Sequence, residues 1–428
     1  VSALIIRGDA RALPLPDACV DLVVTSPPYW DLREYRDDGE AYEGQIGSES
    51  TPAEYLAHLW EVAAECTRVL KPSGSMFFNL GDKYNSASGP KTGRKSDSLI
   101  AQGGGPKWVT SARGREAEQI PEKSLIALPW RFAIGCIDQL GLILRRDQIW
   151  HKTNPLPESA SDRCPTTHEY LFHLTREPRY YAATDEIREP HAEPNGRSAY
   201  GRQRPPNLSG GNCGGNVGVR PDSVFRDMGQ HPLGKLPGSV WSIPSEPLTG
   251  VPEISPLDGR PLPEHYAAFP SELPRRCILG WSPHGVCVEC GEGRRPAVAA
   301  RYAPTQTTNS PGRLERNGDN RFTQADRPHG RARRVSSIIG YSCACPEPSA
   351  PTRPAVILDP FSGTGTTALV ADVLGRDGIG VDASHDYCRL ARWRVSDPGQ
   401  RAKAMRVPKP PVQLPGQGSL FASTGGDA

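Results

Sequence analysis

The stretch whose reading decides the fold is Val356–Leu369, VILDPFSGTGTTAL. Aliphatic residues run into a Gly-rich turn, and the turn runs into helix-forming TTAL, which reads as strand, turn and helix. Gly363 and Gly365 let the backbone approach a ligand closely, and the helix amino terminus offers unpaired N–H groups to negative charge. The next apolar segment, GIGVD at 378–382, ends in Asp382. That is the spacing at which a carboxylate grips ribose hydroxyls in nucleotide folds. A P-loop would need Gly-Lys-Ser/Thr, which is missing here. Taken alone, the turn leaves an NAD site open.

Outward from this unit the chain alternates strand and helix. ALII (3–6) and CVDLVV (19–24) read as buried strands, residues 52–70 as a helix begun by Pro52, and SMFFNLGD as another strand. Residues 123–140 read as a helix, LILRRDQIWHK and HEYLFHLTR as strands, and HYAAFPSELPRRCILGW as a short helix. The alternation predicts an α/β fold, a doubly wound and mostly parallel sheet with helices on both faces.

A second stretch, VVTSPPYWDL (Val23–Leu32), ends a buried strand in a Pro-Pro corner carrying a hydroxyl and two aromatics. A plain turn would use Gly, Asn or Asp. Pro27 and Pro28 instead remove two donors and fix φ at both positions, so the carbonyls there are held and aimed.

DPFSGTGTT together with TSPPYW resembles the amino-group DNA methyltransferases, which methylate cytosine N4 or adenine N6 using S-adenosylmethionine. With the Pro-Pro motif first and the Gly-rich motif last, the order is similar to that family's permuted β arrangement. IRGD (6–9), IWHKTNPLPES…THEYLFHLTR and HYAAFPSELPRRCI extend the resemblance over roughly half the chain. The resemblance implies a Rossmann-like methyltransferase fold, circularly permuted. It makes Ser26, Pro27, Pro28 and Tyr29 catalytic. It makes Asp9, Asp359, Phe361, Ser362, Gly363, Gly365, Thr366 and Asp382 the cofactor-binding set, with Asp9 toward the adenine. Chemistry supports this. An exocyclic amine is a poor nucleophile because its lone pair is delocalised into the ring. The Ser26 hydroxyl and Pro27 carbonyl are suited to hold its hydrogens and localise that pair, and Tyr29 offers a face to a base taken out of the duplex. Trp30 reads as wall packing, and His168 and Glu169 as structural or pocket-lining. SPPY is typical of the cytosine-N4 group, whereas adenine-N6 relatives more often carry Asp or Asn at the position of Ser26. Methylation of RNA or protein, a catalytically dead DNA-binding relative and an NAD-linked oxidoreductase stand as alternatives. The last leaves the Pro-Pro corner unexplained.

The 428 residues carry a net charge of +2, but unevenly distributed. The first seventy are acidic, whereas 83–118 and 291–334 are basic loops, the pattern of a body that touches a polyanion at chosen places. Duplex DNA is the expected partner, with a cognate restriction enzyme as a possible second. Cys287, Cys290, Cys343 and Cys345 flank the second basic loop and suit a tetrahedral zinc site that would pin that loop beside DNA. Eleven cysteines without a secreted-framework spacing, no leader and no run near the roughly 18 residues of a membrane span predict a cytoplasmic protein, in a prokaryotic cell or phage-infected host.

The domain reading is 1–184 as the catalytic half, a loop-rich target-recognition region at 185–262 and a cofactor-closing motif at 263–282. A small zinc-ribbon-like insert follows at 283–350, then the cofactor-binding half at 351–395 and a disordered tail at 396–428. Within the tail, QGSLF resembles the short peptides that dock on the sliding clamp, through Gln417, Leu420 and Phe421.

Overall fold

The structure is a computed structural model that describes residues 3–32, 36–37, 40–41, 44–85, 120–190, 231, 233–263, 269–303, 333–345 and 349–406. Most of the basic loop 83–118, the middle of the expected recognition region and the clamp-like Gln417, Leu420 and Phe421 lie outside the described residues.

Its centre is an eight-stranded sheet. In chain order the strands are β1 (Ala3–Arg7), β2 (Val20–Thr25), β5 (Leu70–Leu80), β6 (Ile143–His151), β7 (His168–Thr175), β8 (Val240–Ser242), β13 (Val356–Asp359) and β14 (Asp377–Asp382). In space they run β1-β14-β13-β2-β5-β7-β6-β8. The first five of these pair parallel, β7 is antiparallel to both neighbours, and β8 rejoins parallel to β6. The sheet is therefore mostly parallel, as the alternation predicts.

Both faces are buried, as parallel strands require. Phe78 and Met76 of β5 face α1 (Pro52–Val69) and α2 (Leu128–Asp138). Phe77 of the same strand turns toward α3 (Glu272–Trp281) and α4 (Thr366–Val373). Ile5 packs with α5 (His385–Ser396). Thr51 caps α1, its hydroxyl accepting the Glu54 N–H at 3.1 Å, and Pro52 occupies the first turn.

Several boundaries differ from the sequence reading. α2 begins at Leu128 rather than 123, because the Asp82 carboxylate reaches across to accept the N–H groups of Ala127 and Leu128, each at 3.1 Å. Residues 240–242 belong to the main sheet, with Trp241 buried beside Trp150. The chain also stays ordered past 396. α6 (Pro398–Met405) is capped by Asp397 and packs Ala402 and Ala404 inward, while Arg401 pairs with Asp372 of α4.

Outside the sheet, β3 (Arg36–Asp37) and β4 (Glu40–Ala41) form a short hairpin, and β9 (Val286–Cys287) pairs with β12 (Thr352–Arg353). β10 (Arg295–Ala303) and β11 (Arg333–Ser342) form an antiparallel ribbon. Among the described residues, no helix is long and apolar enough to cross a membrane.

Candidate active site

The carboxyl ends of the parallel strands bring the two sequence motifs together. β13 ends in Asp359 and leads into the Gly-rich turn. β2, its neighbour, ends in Thr25 and leads into Ser26-Pro27-Pro28-Tyr29. One buried knot joins them. The Thr25 hydroxyl donates to Asp359 Oδ1 at 2.7 Å, the Thr367 hydroxyl donates to Oδ2 at 2.8 Å, and the Phe361 N–H reaches Oδ1 at 3.1 Å. Burial pushes the Asp359 carboxyl up to about 6. Asp359 is thus enclosed and spends its hydrogen bonds on the protein.

Asp382, at the end of β14, shapes the next part of the crevice. Its Oδ2 accepts the Gly363 N–H at 2.7 Å and its Oδ1 the Ser384 N–H at 2.9 Å, while desolvation raises the carboxyl to about 6. Gly363 and Gly365 take positive φ, 49° and 76°, which glycine adopts without steric cost. The Ser362 hydroxyl is buried and has no hydrogen-bond partner among the described residues. Thr366 opens α4 and accepts from the buried Arg394 guanidinium at 2.7 Å, as Thr364 does at 2.5 Å, so Thr366 braces the turn from behind. Asp9 follows β1, with the Gly8 N–H on the Asp382 carbonyl at 3.0 Å. Arg11 binds the Asp9 carboxylate in a fork and holds its pKa below the ordinary value. Phe361 is half-buried against the core. An unpartnered hydroxyl, a carboxylate steadied by backbone donors and a glycine turn together fit a cofactor that carries ribose hydroxyls.

On the other side, the Tyr29 ring lies against Gly81, where an added Cβ would meet it at 2.8 Å. The Tyr29 hydroxyl donates to Glu169 Oε2 at 2.6 Å. Burial, then the Glu169 charge, hold that phenol well above its ordinary pKa. The Pro28 carbonyl accepts from the Tyr55 hydroxyl at 2.8 Å. Trp30 is buried, its indole N–H on the Glu49 carbonyl at 2.9 Å, which matches wall packing. Lys83, read from sequence as part of a basic loop, pairs with Asp31 and lies over the Trp30 ring.

Asn79, at the end of β5, and Lys152, just beyond β6, were not anticipated. Asn79 Nδ2 lies 2.7 Å from Glu169 Oε2 and 2.9 Å from the Tyr29 oxygen, and Lys152 pairs with Glu169 Oε1. The only signal in sequence was a polar residue interrupting the apolar run SMFFNL.

The four cysteine sulfurs of Cys287, Cys290, Cys343 and Cys345 lie within 4.8 Å of one another. A tetrahedral Zn–thiolate cage has edges of about 3.8 Å, so the cluster fits zinc. It sits away from the crevice. β12 leads directly into the start of β13, and Tyr181, whose hydroxyl donates to the Arg294 carbonyl, donates its own N–H to Ser73 near the start of β5. The insert is therefore rooted at the amino ends of the parallel strands, opposite the Pro-Pro corner.

An open, mostly parallel sheet with a nucleotide-type crevice and an aimed Pro-Pro corner defines a methyltransferase-like catalytic domain. The DNA methylase family model for N6 and N4 enzymes matches residues 20–288 and 350–392, and the chain belongs to that family. It is 28% identical over 396 residues to the Type II methyltransferase M.SmaI of Serratia marcescens, covering 92% of this chain and 91% of that protein. It is 32% identical over 279 residues to the Type II methyltransferase M.Cfr9I of Citrobacter freundii, covering 65% and 72% respectively. A solved structure of the cytosine-N4-specific PvuII DNA methyltransferase aligns at TM-score 0.47 and 14% identity, over 95% of this chain and 91% of that one.

Proposed function

We propose that the protein is a site-specific DNA methyltransferase that transfers a methyl group from S-adenosylmethionine to the exocyclic amine of a base turned out of the duplex, cytosine N4 in preference to adenine N6. One observation carries the reading: the Pro-Pro corner and the Gly-rich turn emerge from adjacent strands, tied by the Thr25–Asp359 hydrogen bond.

S-adenosylmethionine supplies an activated methyl group when bound. Asp382 would accept its ribose hydroxyls, Ser362, Gly363 and Gly365 would line the turn against it, and Phe361 and Asp9 would border the adenine. Asp359 and Thr366 would act from behind, by fixing the turn. Ser26 and the Pro27 carbonyl hold the target amine by its hydrogens. With Tyr55 on the Pro28 carbonyl, Pro27 is the better placed of the two. The amine gains the methyl group and loses one proton, and positioning contributes most of the rate. The late place of the Gly-rich motif supports a circularly permuted fold.

The test is methyl transfer from labelled S-adenosylmethionine to DNA, RNA and protein in parallel, followed by nucleoside mass spectrometry of the DNA. N4-methylcytosine is the expected product. N6-methyladenine alone would reverse the choice of base, and no labelled DNA would end the reading.

The same proposal covers the metal and the partners. Cys287, Cys290, Cys343 and Cys345 hold one structural zinc, which supplies folding energy to the insert rather than chemistry. Elemental analysis of protein purified with reductant should find about one zinc per chain. Chelation should unfold the insert before the main sheet, as followed by hydrogen exchange, and protein free of zinc would refute the assignment. Duplex DNA is the substrate, a cognate restriction enzyme the functional companion, and the sliding clamp a docking partner for Gln417, Leu420 and Phe421. A 412–428 peptide that fails to bind purified clamp at high concentration would remove the last.

A further inference from the structure

The connection between β6 and β7 is longer than its task requires. Paired antiparallel strands can be joined by about 2–5 residues, whereas this loop runs from 152 to 167. It leaves the sheet beside the transfer corner. β7 is antiparallel to both β5 and β6, so β6 runs in the direction of β5 and β2, and the loop emerges at their carboxyl ends. The residues that bracket it reach the site. Lys152 pairs with Glu169, and Glu169 accepts from the Tyr29 hydroxyl at 2.6 Å.

The loop is braced on both limbs. The Lys152 N–H donates to the Thr167 carbonyl at 2.8 Å and closes its base. Asn154 Oδ1 accepts the Ser245 N–H at 2.7 Å, tying the outgoing limb to the chain after β8. Glu158 accepts the Thr166 N–H at 2.9 Å and the Arg163 guanidinium at 2.5 Å, and that guanidinium lies 3.8 Å over the Tyr84 ring. Asp162 pairs with Lys123 at 2.9 Å. Both acids of the loop are thus matched by a cation and do not repel a phosphate backbone. Between the braced positions stands Pro155-Leu156-Pro157. The prolines fix φ on either side of the leucine. Leu156 is 79% exposed, the most exposed large apolar side chain among the described residues. Single exposed leucines are ordinary on protein surfaces. This one stands on a stiffened crown, no more than about 14 Å of chain from Lys152.

The chemistry gives it a task. A base turned out of the duplex leaves a gap in the stack, and opening that gap costs pairing and stacking energy. An apolar side chain that enters the gap offsets part of the cost. A crown that is already rigid loses little conformational entropy on insertion.

We propose that Leu156 enters the duplex as the target base leaves it, and so holds the base in the position from which transfer occurs. The proposal rests on the methyltransferase reading above. Leu156 acts on the DNA stack and takes no part in the bond changes at the amine.

The experiment compares full-length wild type, Leu156→Ala and Ile339→Ala, with melting temperatures and S-adenosylmethionine affinity measured alongside. Sequencing of bulk bacterial DNA methylated by the wild type first locates the modified base. Two oligonucleotide duplexes then carry that site, one with the target base normally paired and one with it opposite an abasic position. On the paired duplex, Leu156→Ala should lower kcat/KM by about 10- to 100-fold, the worth of burying one leucine. On the second duplex the base is already unpaired, and the loss should shrink to within about threefold. Melting temperature and cofactor affinity should match wild type, as expected for an exposed side chain. Ile339, 69% exposed on the β10–β11 ribbon, is the control, and its alanine variant should match wild type on both duplexes. An unchanged kcat/KM on the paired duplex, an equal loss on both duplexes, an equal loss in Ile339→Ala, or a loss that follows a fall in melting temperature would each overturn the proposal. Wild-type protein that transfers nothing to bulk DNA would instead overturn the methyltransferase reading, and that comparison is made first.

Discussion

Replacing Ser26 by alanine should slow methyl transfer by about 10²- to 10³-fold, the usual cost of removing one preorganised polar group from a transition state. The cause is electronic. The exocyclic amine is conjugated with its ring, and its lone pair becomes available only as the nitrogen pyramidalises. Acceptors on both hydrogens stabilise that geometry, and Ser26→Ala leaves the Pro27 carbonyl alone to do so. The interaction strengthens as the N–H bonds become more acidic, so its loss should fall on kcat rather than on KM. Cofactor affinity should stay within about twofold, because the Ser26 hydroxyl accepts from Asn79 and not from the Gly-rich turn. Stability should change by no more than about 0.5 kcal/mol, as expected for a half-buried hydroxyl. Single-turnover transfer, calorimetric titration with S-adenosylmethionine and thermal melting measure the three quantities separately. A wild-type single-turnover rate in Ser26→Ala would remove the hydroxyl from the chemistry and leave the corner a scaffold.

The motifs that announce this site are local, which is why they were legible. Gly363, Gly365 and the Pro27-Pro28 pair each impose a backbone geometry that needs no distant partner to be recognised. The groups that orient them are not local. Asn79 meets Glu169 only because β5 and β7 pair antiparallel with Asn79 opposite Leu171, and that register is set by packing on both sheet faces, not by anything near Asn79. The start of α2 escaped for the same reason, since its capping carboxylate, Asp82, lies 45 residues before Ala127 in the chain. α6 carries Pro398, Gly399 and two lysine or arginine side chains in eight residues, a composition that reads as tail. Its stability comes from the contacts of Ala402, Ala404 and Arg401 with the helices beside it. The cysteine cluster shows both limits at once. Close spacing within each pair foretold the convergence of four thiols, but which end of the sheet they sit on follows from β12 entering β13, a fact of topology.

Gly365→Val should abolish measurable cofactor binding and lower stability, and the two effects have separable causes. Gly365 is the residue before α4 and sits at φ 76°, ψ 22°, a left-handed conformation that is a true outlier for a β-branched side chain. An added Cβ would lie 3.0 Å from Ala391 Cβ and 3.3 Å from its Cα in α5, and valine adds two methyl groups beyond that. Conformational strain of about 1–2 kcal/mol and overpacking of about 1–3 kcal/mol give a loss of roughly 2–5 kcal/mol. The displacement then travels through hydrogen bonds. The Gly365 N–H holds the Ser362 carbonyl at 2.7 Å, the Ser362 N–H holds the Val381 carbonyl at 2.9 Å, and the Gly363 N–H holds Asp382 at 2.7 Å. Moving Gly365 therefore moves the carboxylate that would grip the ribose, and affinity should fall by at least about a hundredfold, as when positioned groups shift by an ångström. Gly375→Ala is the control. Gly375 also has positive φ, 79°, but an added Cβ there meets nothing within 4 Å, and the residue lies beyond the far end of α4. That variant should lose about 1–2 kcal/mol of stability and keep its cofactor affinity. Calorimetric titration of both variants, well below their melting temperatures, decides the matter: normal S-adenosylmethionine affinity in folded Gly365→Val would place the cofactor pocket somewhere other than this turn.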